Sequence, residues 1–139
     1  MGTSDAEYYY SETKTFDKLI DRVEESDDTW SRSDILQPLF VDEATWYNLP
    51  SVAIFCSTVR GEMVSTMGDL GFYTGANEYL YYGATPMTNA MFGVKYVYAR
   101  DGDFINVDMG HHDTEEHISV YKNLYTLPIG YMVNSEFLD

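Results

Sequence analysis

The longest uninterrupted apolar run in this 139-residue chain is Val52-Ala53-Ile54-Phe55-Cys56. Crossing a bilayer as a helix takes about 20 consecutive apolar residues, so no segment here reads as a membrane span. A run this short is the length of one strand. The apolar 45% of the chain is therefore dispersed among short elements, and it is buried only by stacking helices on a sheet. A chain of this size is expected to form one domain, with a core that removes about two-thirds of the unfolded surface from water. The expectation is a single soluble domain over residues 11–139, preceded by a lead-in over residues 1–10. Met1-Gly2-Thr3-Ser4-Asp5 reads as an introduced start rather than a natural N-terminus.

The clearest element is a helix in which Phe16, Leu19, Ile20 and Val23 recur on one face. Ser11 or Thr13 is its expected N-cap, and the polar run Glu24–Asp28 its end. Trp30–Phe40 reads as extended, closed by Pro38. Val52–Cys56 reads as a strand buried on both faces. Ser57-Thr58 is placed as the cap of a second helix carrying Met63, Met67 and Leu70, with Gly71 as its left-handed stop. Tyr73–Gly83 reads as a loop with a short extended piece. Thr85-Pro86 opens a third helix, Thr as cap and Pro in the first turn, with Met87, Ala90 and Met91 as its apolar face. Val94–Ala99 alternates as a strand, and Asp101-Gly102 predicts a hairpin to a partner strand over Phe104–Val107. Ile118–Tyr121 and Ile129–Val133 read as two further strands. The sum is an α/β or α+β fold, a mixed sheet of about five strands with about three helices packed on it.

Against 23 acidic residues stand only eight basic ones, a net charge of −15. Phosphate backbones are bound by displacing counterions with Lys and Arg, so nucleic acid is excluded as a partner. The single cysteine rules out an internal disulfide; lying inside an apolar run, Cys56 reads as a small core hydrophobe. All three histidines fall in His111-His112-Asp113-Thr114-Glu115-Glu116-His117. Imidazole and carboxylate are the ligands of a transition-metal site. Neighbouring ligands in one segment do not close a tetrahedron without a distant partner, so the segment is read as a solvated connecting loop, with His111, His112 and His117 as weak metal candidates. No phosphate loop, dinucleotide fingerprint or nucleophile elbow occurs. No cofactor is implied and no catalytic residue is nominated.

Thirteen tyrosines include Tyr8-Tyr9-Tyr10 and the segment Tyr79-Leu80-Tyr81-Tyr82. A phenol offers an apolar face with a polar tip, which suits interfaces and sugar rings as well as half-buried packing over a sheet. Trp46, Tyr81 and Tyr82 are the residues nominated for contact with carbohydrate or a partner. Lys95 has no sequence neighbour to explain it; its stem is expected to pack on the sheet while its ammonium reaches a carboxylate or the surface.

The order of several segments resembles the YfhO family of bacterial membrane proteins. Trp46-Tyr47-Asn48-Leu49-Pro50-Ser51-Val52 and Phe55-Cys56-Ser57-Thr58-Val59 are similar to one stretch of that family. Leu70-Gly71-Phe72 and Tyr81-Tyr82-Gly83-Ala84-Thr85-Pro86-Met87-Thr88-Asn89-Ala90 are similar to the next. Met91-Phe92-Gly93-Val94-Lys95-Tyr96-Val97 is the most specific, and Val120-Tyr121-Lys122-Asn123 with Leu127-Pro128-Ile129-Gly130-Tyr131 completes the order. Cys56 stands where the family pattern has Ser and Lys122 where it has Glu. The resemblance implies a domain on the outer face of a polytopic membrane protein similar to GT-C glycosyltransferases, which use lipid-linked sugars. It implies a non-catalytic, accessory part in glycosylating a cell-surface polymer such as lipoteichoic acid. The implied partners are the transmembrane part of the parent chain and a cell-envelope glycopolymer. A stand-alone carbohydrate- or peptide-binding module is the alternative, and a small metalloenzyme built on the histidines a third reading.

Overall fold

The computed structural model describes residues 3–105 and 109–132, with side chains from residue 7 onward. The chain runs α1 (Thr3–Ser26), β1 (Arg32–Ile35), α2 (Glu43–Trp46), β2 (Ile54–Phe55), α3 (Gly61–Asp69), β3 (Tyr73–Gly75), β4 (Glu78–Leu80), α4 (Pro86–Met91), β5 (Val94–Arg100), β6 (Met109–Glu115) and β7 (Ile118–Asn123). It is an α+β fold with two sheets. The larger has the order β1-β5-β7-β6, and the smaller β2-β4-β3. Among the described residues only the β1–β5 pair is parallel; the other pairs are antiparallel.

Helix α1 buries the expected stripe, Phe16, Leu19 and Val23, with Ile20 partly covered. It begins two turns earlier than its sequence signals suggest. Ser11 and Thr13 lie inside it and donate to the Tyr8 and Tyr9 carbonyls at 2.8 and 2.9 Å, instead of capping it. The helix ends where Asp27 turns its carboxylate onto the Thr29 amide at 3.1 Å, a local bond that competes with the next helical one.

Strand β5 is buried on both faces rather than alternating. Its register with β1 skips Lys95, since Arg32 pairs with Val94 and Ser33 with Tyr96. The irregularity re-aims the side chains. Tyr96 and Tyr98 join Phe16, Leu19, Ile35, Ile118 and Val120 beneath α1, while Val94 and Val97 join Val52, Met67, Phe72 and Tyr81 on the opposite side. Two cores therefore share one strand.

Other expectations fail for definite reasons. Both edges of β5 are taken, by β1 and β7, so Asp101-Gly102 makes a turn without a hairpin partner; Phe104 is exposed, and Asn106 and Val107 lie outside the described residues. The histidine segment is no loop: it is strand β6, paired with β7 through the two-residue turn Glu116-His117. Val52–Cys56 shortens to the two-residue β2, whose Phe55 is half-exposed. Helix α3 starts without a side-chain cap, at Arg60, although Gly71 does follow it with φ of 95°. Residues 129–132 form no strand, with Leu127 donating to the Ala90 carbonyl at 3.4 Å instead; Val133 lies outside the described residues. Thr85 caps α4 as expected, in a reciprocal capping box with Thr88. The helix is rotated from the expected face, however: Met87 and Met91 are exposed, and Thr88 and Asn89 are buried.

Candidate functional site

The nominated contact residues separate. Trp46 is 69% exposed at the end of α2. There the two tyrosines Tyr9 and Tyr10 of α1 meet Phe40, and with Thr13 and Tyr47 these residues line an open groove of about 500 Å³. Phe40 makes edge contacts with both Tyr9 and Trp46, ring centroids 6.2 and 6.5 Å apart. Leu39 and Val41 continue the exposed apolar surface. Beneath it the Tyr47 ring stacks on Phe16 at 4.3 Å, and burial, with Glu43 beside it, pushes the Tyr47 phenol up to about 12. Tyr9 and Tyr10, from a tyrosine run assigned no ligand from sequence, supply two of the six residues of this wall. The signal was a tyrosine run on what proves to be a helix, where successive residues point in different directions.

Tyr81 sits elsewhere. It is only 3% exposed and donates its hydroxyl to Asn89 Oδ1 at 2.8 Å. Tyr82 is partly exposed, and Tyr81 and Tyr82 together line a small cavity of about 110 Å³ with Leu36, Gln37 and Phe104. Of the three nominated residues, only Trp46 stands in an aromatic groove.

The histidines diverge along β6. His111 Nε2 lies 2.7 Å from Thr114 Oγ1, and its ring meets the edge of Tyr121. His112 occupies the irregular position of the strand and lies against Tyr96, centroids 5.4 Å apart. His117, in the turn after β6, pairs with Glu12 of α1. Among the described residues, no group of three or more His, Cys, Asp and Glu side chains could hold a metal ion.

Charged side chains instead tie α1 to the sheet. The Arg100 guanidinium lies between two buried carboxylates, 2.9 Å from Glu12 and 2.6 Å from Glu43, and donates to the Gln37 carbonyl at 3.0 Å. Burial alone would lower its affinity for a proton, but the bonds and charges of Glu43 and Glu12 outweigh burial and raise it. Farther along α1, Arg22 bridges Asp113 and Glu115 at 2.6 and 3.0 Å. At the helix end Asp27 pairs with Lys95 and accepts from the Tyr96 hydroxyl at 2.7 Å. The hydrogen bond from Lys95, with help from Thr29 and Tyr96, holds the Asp27 carboxyl well below the usual range. Lys95 thus does what its isolation in sequence suggests: its ammonium reaches a carboxylate.

Cys56 is partly exposed rather than a core residue. Its thiol stands 3.1 Å from Thr58 Oγ1, and that contact lowers its pKa. No cation or imidazole contact to Cys56 is present among the described residues.

Comparison with known families adds one finding. The whole chain, residues 1–139, matches the model of a family described as bacterial membrane protein YfhO. The chain belongs to the YfhO family. No curated protein and no solved structure gives a match. Among the described residues, no helix is long and apolar enough to cross a membrane.

Several of the segments singled out in the sequence meet one another in space. Ser51 and the Val52 amide donate to Asp34 of β1 at 2.8 and 2.9 Å, which ties one of them to the large sheet. A Cβ on Gly83 would overlap the Gly71 carbonyl. Asn123 donates to the Val94 carbonyl at 3.2 Å. These motifs lock the layers together.

Proposed function

We propose that this chain is a non-catalytic outer-face domain of a polytopic bacterial membrane protein resembling lipid-linked-sugar glycosyltransferases. Its part is accessory, in the glycosylation of a cell-surface polymer such as lipoteichoic acid. The observation that carries this reading is the open aromatic groove around Trp46, in a chain that belongs to a family of membrane proteins. A contiguous exposed apolar surface on one domain marks a partner site. Tyr and Trp supply large contact area with a polar edge, the chemistry of interfaces and of sugar stacking.

The −15 charge gives an anionic polymer no long-range attraction. The groove is therefore the seat of the transmembrane part of the parent chain, or of a polymer unit held by local stacking. The test replaces Trp46 and Phe40 together by Ala in the parent protein. Sugar content of the extracted polymer is then measured per copy of protein in the membrane. The expected result is a several-fold fall in sugar content with the protein level unchanged. Unaltered glycosylation after the groove is emptied would sink the reading.

A further inference from the structure

A second cleft, of about 620 Å³, opens between the C-terminal end of α1 and the Asn48-Leu49-Pro50 segment, with the large sheet as its floor. Its size falls within the about 300–1,000 Å³ range of small-ligand sites. None of the residues nominated from sequence lines it. Its floor comes from one face of β1 and β5, where Ser33 pairs with Tyr96 and Ile35 with Tyr98.

Two floor hydroxyls are unusual. Tyr98 is 1% exposed and Ser33 7%, yet neither side-chain hydroxyl has a hydrogen-bond partner among the described residues. Neither hydroxyl is sealed from solvent, since the buried side-chain atom without a partner among the described residues is Asn89 Nδ2; both are left facing the cleft, where water or a ligand hydroxyl pairs with them. Both residues line the cleft. Burial, with Glu24 nearby, raises the Tyr98 pKa, so the phenol holds its proton and stands ready to donate.

The walls restrict what can enter. Glu24, Asp27 and Asp28 line the cleft, and no Lys or Arg does. Asp27 is already engaged by Lys95, which leaves Glu24 and Asp28 as acceptors. Phosphate and carboxylate ligands need a cation or an array of donors, so anionic ligands are excluded here. An uncharged polyol fits: its hydroxyls donate to the two carboxylates and accept from Tyr98 and Ser33. The exposed ring of Trp30 at the mouth offers the apolar plate that the C–H face of a sugar requires.

We infer that this cleft is a binding site for an uncharged saccharide unit, with Tyr98 and Ser33 as the floor donors, Glu24 and Asp28 as the rim acceptors and Trp30 as the stacking face. The inference deepens the reading above and rests on it only for the source of the sugar, a glycan of the cell surface.

The test is an NMR titration of the isotope-labelled 139-residue chain with glucose, maltose and N-acetylglucosamine. Glucose 6-phosphate serves as the anionic control and spermidine as the cationic one. At least one neutral sugar is expected to give saturable shifts at Trp30, Ser33 and Tyr98, with an affinity on the order of millimolar. Tyr98→Phe and Ser33→Ala should each weaken it about three- to tenfold. Tyr98→Phe removes a hydroxyl that lacks a protein partner, so it should leave the melting temperature unchanged or raised, which separates lost binding from lost fold. The inference is overturned if no neutral sugar gives saturable shifts at tens of millimolar, if glucose 6-phosphate binds as well as glucose, if spermidine alone binds, or if Tyr98→Phe binds like the parent chain. Shifts confined to Trp46 and Tyr9 would overturn the cleft while sustaining the groove of the preceding section. An empty titration alongside altered polymer glycosylation in the Trp46/Phe40 variant would do the same.

Discussion

The two sides of strand β5 are held by different physics. Toward α1 the apolar contacts are supplemented by charge: Arg100 between Glu12 and Glu43, Arg22 between Asp113 and Glu115, Lys95 on Asp27. Toward the small sheet the apolar cluster of Val52, Met67, Phe72, Val94 and Val97 holds one buried carboxyl, Asp34, and is otherwise supplemented by neutral bonds and close backbone approach. The Tyr81–Asn89 bond, the Thr85–Thr88 box and the Gly71–Gly83 contact are its fixtures. Coulombic fixtures reach across the molecule but carry a large desolvation cost, so they fail badly when one partner is lost. Neutral fixtures are individually small and fail locally. The α1 side should therefore be the more vulnerable to single substitutions, and the small-sheet side to crowding.

The largest effect is expected at Arg100. Arg100→Met keeps the length of the side chain but strands Glu12 and Glu43, both essentially inaccessible. Leaving buried charge uncompensated costs about 3–5 kcal/mol. Urea unfolding should show a loss of that size, and the triple variant with Glu12→Gln and Glu43→Gln should recover most of it. A single variant that loses less than about 1 kcal/mol would mean that the network behaves as a surface one, and the contrast between the two sides would collapse.

Next comes Gly83→Ala on the other side. Gly83 has φ of 83°, and an added Cβ meets the Gly71 carbonyl. Strain in the left-handed region together with the steric overlap is expected to cost about 2–3 kcal/mol. The loss should be confined to the small sheet, so hydrogen exchange should quicken in residues 72–82 while β5–β7 amides stay protected. Uniform loss of protection would show the two layers to be one cooperative unit.

Much of this arrangement was legible in sequence, and the remainder was not for physical reasons. The apolar stripe of α1, the Thr85-Pro86 helix start, the Gly71 stop and the Ile118–Tyr121 strand follow from local rules, and structure places them accordingly. Strand pairing is not local. Asp101-Gly102 carries a good hairpin signal, yet β5 was already paired on both edges by residues far away in sequence. The rotation of α4 was hidden because Asn89 is turned inward by Tyr81, a tertiary bond. The candidate site was the least legible. Trp46 could be nominated from its type, but its groove needed Tyr9, Tyr10 and Phe40 brought from separate elements. The cleft proposed for a saccharide is floored by Ser33 of β1 and Tyr98 of β5, brought together by a strand pairing about sixty residues apart in sequence that no local pattern carries.

A smaller effect concerns pH and two carboxylates on opposite terms. Burial pushes Asp34 up to about 6, against the hydrogen bonds from Ser51, Val52 and Ile35 that pull it down. Because the folded value exceeds the unfolded one of about 3.9, the stability tied to this proton is complete below about pH 4 and is lost as pH rises through about 6. Asp27 is opposite: held low by Lys95, it contributes above the usual carboxylate range and loses that contribution as pH falls through and below it. Of these two carboxylates only Asp34 changes between pH 7 and 5, so the parent chain should gain about 1–2 kcal/mol relative to Asp34→Asn, which cannot titrate there and shares every other titrating group. Urea midpoints at the two pH values provide the measurement, and parallel shifts in both proteins would show that Asp34 is already ordinary.

The smallest effect sharpens the comparison from the neutral side. Tyr81→Phe removes the donor to Asn89 Oδ1 without changing the ring that fills the core. Asn89 Nδ2 is already buried with no hydrogen-bond partner among the described residues, so the variant leaves its amide bare at both ends. A neutral bond of this kind is worth about 1 kcal/mol. The loss of this bond between two neutral groups should be independent of salt, whereas the α1-side fixtures at the surface should weaken as salt screens them. Measured at low and high ionic strength, Tyr81→Phe should cost the same in both. A salt-dependent cost would place a charge within reach of this bond, and the division of β5 into a charged side and a neutral side would fail at its most buried point.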